Sequence, residues 1–486
     1  MQCRKPGTIV GRHVQHSRGK APVKTPIHRL RTLSLGLLAA AFVPVALAPA
    51  QTSLQWDRTA STAPVATVPA SIRPATATVD TAPLPVGFDV REFEAMAQTL
   101  VAGQRVPGLA LAVVKDGRVI SARGYGITDT SGAEPVDAHT VFRLASLSKG
   151  FAGTLTGLMV SEGELRWDSP VTDYLPGFRL QDPYASQQLT VADVLSHRVG
   201  LPHNSFDRDL EHYEAYSSLR HRLANVQLKC QPGDCYAYQN IAFSLVGDVL
   251  GAATGTNYSE AVERRLFAPL GMQDASLGLN GIHSSARWAK PHVRGRGGWV
   301  SVDPKSTYYQ VAPAAGVNAS ASDMAQWLIA QTGHRPEVLP EPLLATLHAP
   351  IVATPGETRS SRWRRERLNS ASYALGWRVY DYAGHPLVFH GGAVQGYRAA
   401  IAMLPDRDFG VALLWNGESS LPSGLIPTIL DRALGLPTQA WLKEDVLEDA
   451  MYAYEAMVHP APRYETVTDR SSTTGVQATT SNAAPQ

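Results

Sequence analysis

Asp116-Gly117 stands between two β-rich runs in LALAVVKDGRVISARGYG, the strongest short-range hairpin signal a sequence can carry. Near the other end of the chain, YALGWRVY, PLVFH, YRAAIAML and GVALLWN read as consecutive strands. Turns at Ala383-Gly384, Gly391-Gly392 and Pro405-Asp406 separate them. Residues 150–370 between these ends carry mostly helical patterns and loops. Antiparallel strands can be joined by such short turns, whereas parallel ones need long crossovers. A hairpin at one end and a meander at the other most simply share one antiparallel sheet, and the middle becomes a second, helical lobe. The spacing of Phe93, Met96, Leu100 and Val101 predicts a helix over 89–101. The fold class is therefore α+β, with a cleft between the lobes as the expected place for a site.

At 486 residues, 44% hydrophobic and 18% charged, the chain is too apolar for a disordered protein and longer than one compact core usually runs. Its formal charge of +2 is misleading. The first fifty residues hold eight of the 44 basic side chains and no acid, so the remaining 36 bases face 42 acids. Such a balance offers no net basic field to attract nucleic acid. The apolar run 33–48 follows Arg29 and Arg31, is short for a bilayer span and contains Pro44. We read 1–50 as a secretory signal peptide cut before Gln51, which makes the protein periplasmic or secreted; a retained membrane anchor is the alternative. Residues 51–84 form a Pro/Thr/Ala-rich linker, 85–455 the folded domain, and 456–486 a Ser/Thr/Ala/Gln tail that does not order.

Three short motifs carry chemistry. Ser146-Leu147-Ser148-Lys149 opens an amphipathic helix with apolar Phe151, Leu155, Leu158 and Met159, and Gly163 marks its end. Residues i and i+3 share a helix face, so Ser146 and Lys149 can touch. A helix N-terminus offers N–H groups to a developing oxyanion, and desolvation beside apolar residues makes the lysine a plausible base. Taken alone the motif is weak, since Ser17 and Lys20 share its spacing. Tyr238-Gln239-Asn240 precedes the apolar run IAFSLVGDVL at a loop-to-helix junction. A nearby ammonium would depress the phenol's pKa, while Asn240 either binds substrate or caps the helix. His390-Gly391-Gly392 follows the strand PLVF; paired glycines let a backbone approach a ligand closely, and the histidine can donate a hydrogen bond.

Tyr-x-Asn and His-x-Gly each occur once, and the three motifs follow one another at gaps of 92 and 152 residues. Together with FRLASLSK, LTVADVLSHRVGLP, YAYQNIAFSLVGDVL, LFAPLGMQDAS and YALGWRV, they resemble the serine β-lactamase and penicillin-recognising hydrolase family, on its class C and DD-carboxypeptidase side. The resemblance covers roughly residues 88–436. It implies a β-lactamase/transpeptidase-like fold and an acyl-enzyme mechanism. In that scheme Ser146 is the nucleophile, Lys149 helps to deprotonate it, and Tyr238 shuttles the proton to the leaving group. Asn240 orients the substrate, and the N–H groups of Ser146 and Ala393 form the oxyanion hole, with Gly391 and Gly392 beside it. The departure is His390, where class C β-lactamases carry lysine. Histidine resembles certain DD-peptidases, amidases and esterases of the family, which puts β-lactam hydrolysis as the main task in doubt.

Three functions compete: an exported serine hydrolase acting on an ester or amide, a DD-carboxypeptidase or β-lactamase acting on cell-wall peptides or β-lactams, and an idle binding or assembly protein with the same fold. The expected partner is a small-molecule or peptide substrate, not nucleic acid, and export leaves cell-wall association open. No metal or other cofactor is implied, since His197, His203, His212 and His221 have irregular spacing and read as surface or packing residues. The basic stretch 359–367 (RSSRWRRER) reads as a solvated loop. Cys230 and Cys235 flank Gln-Pro-Gly-Asp, and Pro-Gly favours a tight turn. In an exported chain these two should form a disulfide that stiffens the approach to Tyr238.

Overall fold

The structure, a computed structural model, describes residues 82–437 and 439–443. By its contacts the chain divides into two units, 1–65 and 66–486, and every described residue belongs to the second. The expected signal peptide, the linker as far as residue 81 and the tail lie outside the described residues.

Asp116 and Gly117 both take positive φ, at +50° and +66°, the backbone a two-residue hairpin turn requires. They join β1 (Gly108–Lys115) to β2 (Arg118–Gly126). Six further strands, β3 (Val352–Ala353), β4 (Leu368–Tyr373), β5 (Arg378–Tyr382), β6 (His385–Val394), β7 (Tyr397–Leu404) and β8 (Phe409–Trp415), complete one sheet. Its order is β2-β1-β8-β7-β6-β5-β4-β3, antiparallel throughout. The two β-rich ends thus meet where β1 pairs with β8, Ala112 opposite Ala412.

Side chains alternate across the sheet as the pleat demands. Leu109, Leu111 and Val113 join one core with Phe93 of α1 (Val90–Ala102), while Ala110, Ala112 and Val114 enter a second, larger core under the helical lobe. Both faces are covered, so β1 and β8 are apolar at nearly every position. Asp89 caps α1, its carboxylate accepting from the Arg91 N–H at 3.0 Å.

Four expectations need correction. YALGWRVY is not one strand: β4 ends at Tyr373, the chain turns through Gly376 at φ +86°, and β5 begins at Arg378. Gly391-Gly392 is not a turn but lies inside β6, the reversal falling at Gly396 with φ +73°. The helix after the first motif, α2 (Ser148–Ser161), is not amphipathic; Ser148 to Met159 are all buried. Finally, the basic stretch folds into the short helix Arg362–Arg367, with Trp363 buried. The helical lobe also contains short strands that no alternation announced, such as Phe142–Arg143 beside Val317–Ala319.

Glycines explain how α2 can be buried all round. Gly150, Gly153 and Gly157 lie along one side of it, where a Cβ would stand 2.6 Å from the Trp377 ring, 2.2 Å from the Leu375 carbonyl oxygen and 2.4 Å from Leu343. The turn after β4 presses on this stripe, and a Cβ on Gly376 would lie 2.3 Å from the Lys149 carbonyl oxygen. We expect Gly153→Ala to destabilise the protein by about 1–3 kcal/mol in urea unfolding, because a carbonyl cannot rotate away as a side chain can. Gly177→Ala, with open space around it, should be neutral or slightly stabilising. Equal stability of the two variants would show that the stripe does not set the packing.

Candidate active site

The turn Ala145–Leu147 delivers Ser146 to the rim of the helical lobe, and α2 continues from it. Ala145 is held at φ +49°, a left-handed conformation that alanine rarely takes. Ser148 fastens this turn: its Oγ donates to the Ala145 carbonyl at 2.7 Å and accepts from the Val317 N–H at 3.0 Å. Ser148 is fully buried by these bonds, whereas Ser146 stays partly accessible and lines the cleft.

One helical turn on, Lys149 is entirely buried. Its Nζ stands 3.5 Å from Ser146 Oγ, 2.7 Å from Asn240 Oδ1 and 3.1 Å from the Ala314 carbonyl oxygen. Burial holds this amine well below the usual lysine range; Asp207 pulls the other way, and Arg378 lowers it further. A neutral amine has two N–H bonds and one lone pair. Asn240 Oδ1 and the Ala314 carbonyl engage the two N–H bonds, so the lone pair is left facing Ser146.

Asn240 does not cap a helix. Its Nδ2 donates to Asp207 Oδ2 at 2.7 Å, and Asp207 is itself buried. Burial pushes the Asp207 carboxyl up to about 6, although the Asn240 hydrogen bond and Lys149 both oppose the shift. The loop that carries Tyr238 is laced to residues 197–204: Ala237 N–H donates to the His197 carbonyl at 2.9 Å, and Asn204 N–H to the Tyr238 carbonyl at 2.8 Å. Cys230 and Cys235 form a disulfide just before it. His197 is buried and packs against Tyr238, with ring centroids 4.3 Å apart, while His203, His212 and His221 are exposed. Among the described residues no group of His, Cys, Asp or Glu comes together in a way that could hold a metal ion.

The Tyr238 ring centroid lies 4.5 Å from Lys149 Nζ. The expected depression of its pKa is reversed: burial raises the phenol well above its ordinary range, and a hydrogen bond with Ser146 only partly offsets this. The ammonium expected to depress it is itself disfavoured by the same burial.

The third motif divides. β6 runs on past the end of β5, whose Arg378 pairs with Phe389, so the segment from Gly391 onward forms the cleft edge opposite Ser146. A Cβ on Gly392 would lie 2.4 Å from the Leu144 carbonyl oxygen and 3.2 Å from Ser146 N, so only glycine fits; at Gly391 the nearest atom is 3.8 Å away. Ala393 is exposed on this edge. His390, expected to meet substrate, instead points into the protein and does not line the cleft. Its Nδ1–H donates to the Gly391 carbonyl at 2.7 Å, and its Nε2 accepts from the Tyr373 hydroxyl at 3.0 Å. Burial, with Arg378 and Lys149 adding to it, keeps the ring neutral.

Sequence reasoning missed two groups. Asp207 gave no signal, being an acid in a loop-like stretch. Arg378 and Arg364 line the opposite wall of a cleft of about 630 Å3 and flank Glu357, which contacts Arg378 and lies 3.6 Å from Arg364. Burial works against the Glu357 carboxylate, but the two arginines outweigh it and keep the carboxyl below its usual range.

The chain is similar to known proteins in sequence and in fold. Unguisins hydrolase ungD from Aspergillus violaceofuscus is 25% identical over 386 residues, 74% of this chain and 66% of that protein. Protein flp from Staphylococcus aureus is 24% identical over 323 residues, 66% of this chain and 62% of that protein. The chain thus spans slightly less than two thirds of the length of these curated relatives. Among solved structures, the octameric penicillin-binding protein homologue from Pyrococcus abyssi superposes with a TM-score of 0.64 at 22% identity, covering 72% of this chain and 78% of its own. SurE does so at 0.57 and 23%, covering 72% and 77%. The family profile described as Beta-lactamase matches residues 93–435, which include all three motifs and every strand of the eight-stranded sheet, and the chain belongs to the beta-lactamase family.

Proposed function

We propose that this protein is an exported serine hydrolase that cleaves an ester or amide through an acyl-enzyme on Ser146. The observation that carries the reading is the Lys149 amine, buried, with its N–H bonds engaged and its free direction 3.5 Å from Ser146 Oγ. Ser146 Oγ attacks the carbonyl carbon as its proton passes to Lys149, and the carbonyl electron pair moves onto oxygen. That oxyanion meets the N–H groups of Ser146 and Ala393. The Tyr238 phenol, held protonated, gives its proton to the leaving group and is reprotonated from Lys149. Water then attacks the acyl carbon as Lys149 takes its proton; the bond from that carbon to Ser146 Oγ breaks as the carbonyl re-forms, and Lys149 returns the proton to Ser146 Oγ.

The hydrolase name of the first relative supports the reaction class. A second reading, a DD-carboxypeptidase or β-lactamase, draws on the two arginines around Glu357, which leave one net positive charge on the cleft wall for a substrate carboxylate. His390 cannot fill that role while neutral and turned inward. The disulfide is compatible with export, and among the described residues no helix is long and apolar enough to cross a membrane.

Purified protein treated with a fluorophosphonate and with a fluorescent penicillin should carry the adduct on Ser146, and Ser146→Ala should lose both labelling and turnover; an adduct elsewhere ends the proposal. Labelling by the fluorophosphonate alone favours the ester or amide reading, and labelling by both the second.

Because Lys149 must be neutral to accept a proton, kcat/KM should rise with pH as the ammonium deprotonates, with a midpoint well below the ordinary 10.5. A rise confined to the neighbourhood of 10.5 would contradict this role. Gly392→Ala should cut kcat/KM at least about tenfold by pushing the strand edge off the Ser146 turn, while Gly391→Ala should retain most activity. Comparable losses in both would show that the close approach is not needed.

A further inference from the structure

We infer that Asp207 is a positioning residue for the Lys149 amine, acting through the side-chain amide of Asn240; the inference rests on the proposed role of Lys149. The two ends of an amide are similar in shape and opposite in hydrogen-bonding sense. Asn240 Oδ1 lies 2.7 Å from Lys149 Nζ, and its Nδ2 lies 2.7 Å from Asp207 Oδ2. A carboxylate only accepts, so Asp207 must face the NH2 end, and this turns the oxygen toward Lys149. With the amide reversed, its NH2 would confront the amine's own N–H and its oxygen would confront the carboxylate. Neither contact is a hydrogen bond. Asp207 thereby fixes which atom Lys149 donates to, and so where its lone pair points.

The local structure is built to hold this carboxylate. Phe206 takes φ +66° immediately before it, and Asp207 N–H donates to the Asn204 carbonyl at 3.1 Å. Asp207 Oδ1 is buried without a hydrogen-bond partner among the described residues, the Tyr308 hydroxyl beside it donating to Glu211 Oε1 at 2.9 Å. Leaving a buried carboxylate oxygen unsatisfied costs stability, so simple structural economy does not explain this acid. The charged or titratable groups around it are Glu211 on its own short helix, Lys149 on α2, Tyr308 on Thr307–Val311, and Tyr238 on the adjoining loop, with Arg378 reaching Lys149 from β5.

The test follows fluorophosphonate acylation of Ser146 against pH in wild type and Asp207→Asn. Removing the negative charge makes the Lys149 proton easier to lose, so the rising limb should move to lower pH. The plateau rate should also fall about tenfold, a part of the ~10²–10⁴ that a positioned base contributes. A residue that only supports the fold would lower the rate and leave the limb in place, and that result would overturn the inference. If Asp207→Asn does not fold, Asp207→Glu carries the test. It keeps the charge while displacing the amide, so the limb should stay and the plateau fall; a wild-type plateau there overturns the inference equally. If wild type shows no adduct on Ser146, the serine hydrolase proposal fails, and this inference, which rests on Lys149 acting on Ser146, is overturned with it.

Discussion

A lysine amine without water is the constraint on which the rest of the structure depends. Burying an ammonium is costly unless it is paired or loses its proton. Among the described residues no carboxylate touches it directly: Asp207 is one amide away, and Arg378 stands on the unfavourable side. The site therefore favours the neutral amine, which can act as a base. Its burial in turn requires α2 to be enclosed on every side. That enclosure is possible because Gly153 and Gly376 let helix and turn meet backbone to backbone, and Gly150 makes room for the Trp377 ring.

The same desolvation sets the states of the neighbouring groups. It keeps Tyr238 protonated, His390 neutral and Asp207 with an affinity for protons unusual in a carboxyl. Charge is kept for the other wall, where Arg378 and Arg364 share Glu357.

Much of this was legible in the sequence, for physical reasons. Asp116-Gly117 demanded a hairpin, and the strand patterns at both ends demanded a shared sheet. The i,i+3 spacing of Ser146 and Lys149 required them to meet, and Cys230 and Cys235 had a turn between them. Illegible were features that depend on what lies opposite in space. Arg362–Arg367 looked solvated because its charges dominate the composition, yet Trp363 buries that helix on the cleft. Gly391-Gly392 looked like a turn because glycine marks turns more often than close approach within a strand. His390 looked available because nothing local reveals Tyr373, seventeen residues back, as its partner. Asp207 was invisible for the same reason, its meaning lying in Asn240.

The central claim, that Lys149 is neutral at working pH, can be measured directly. In protein carrying 13Cε-labelled lysine, each lysine gives a resonance that shifts on deprotonation, and Lys149 is the one lost in Lys149→Arg. We expect its resonance to titrate far below the ordinary lysine pKa and apart from the other lysine resonances. A Lys149 resonance that titrates together with the others would contradict the account.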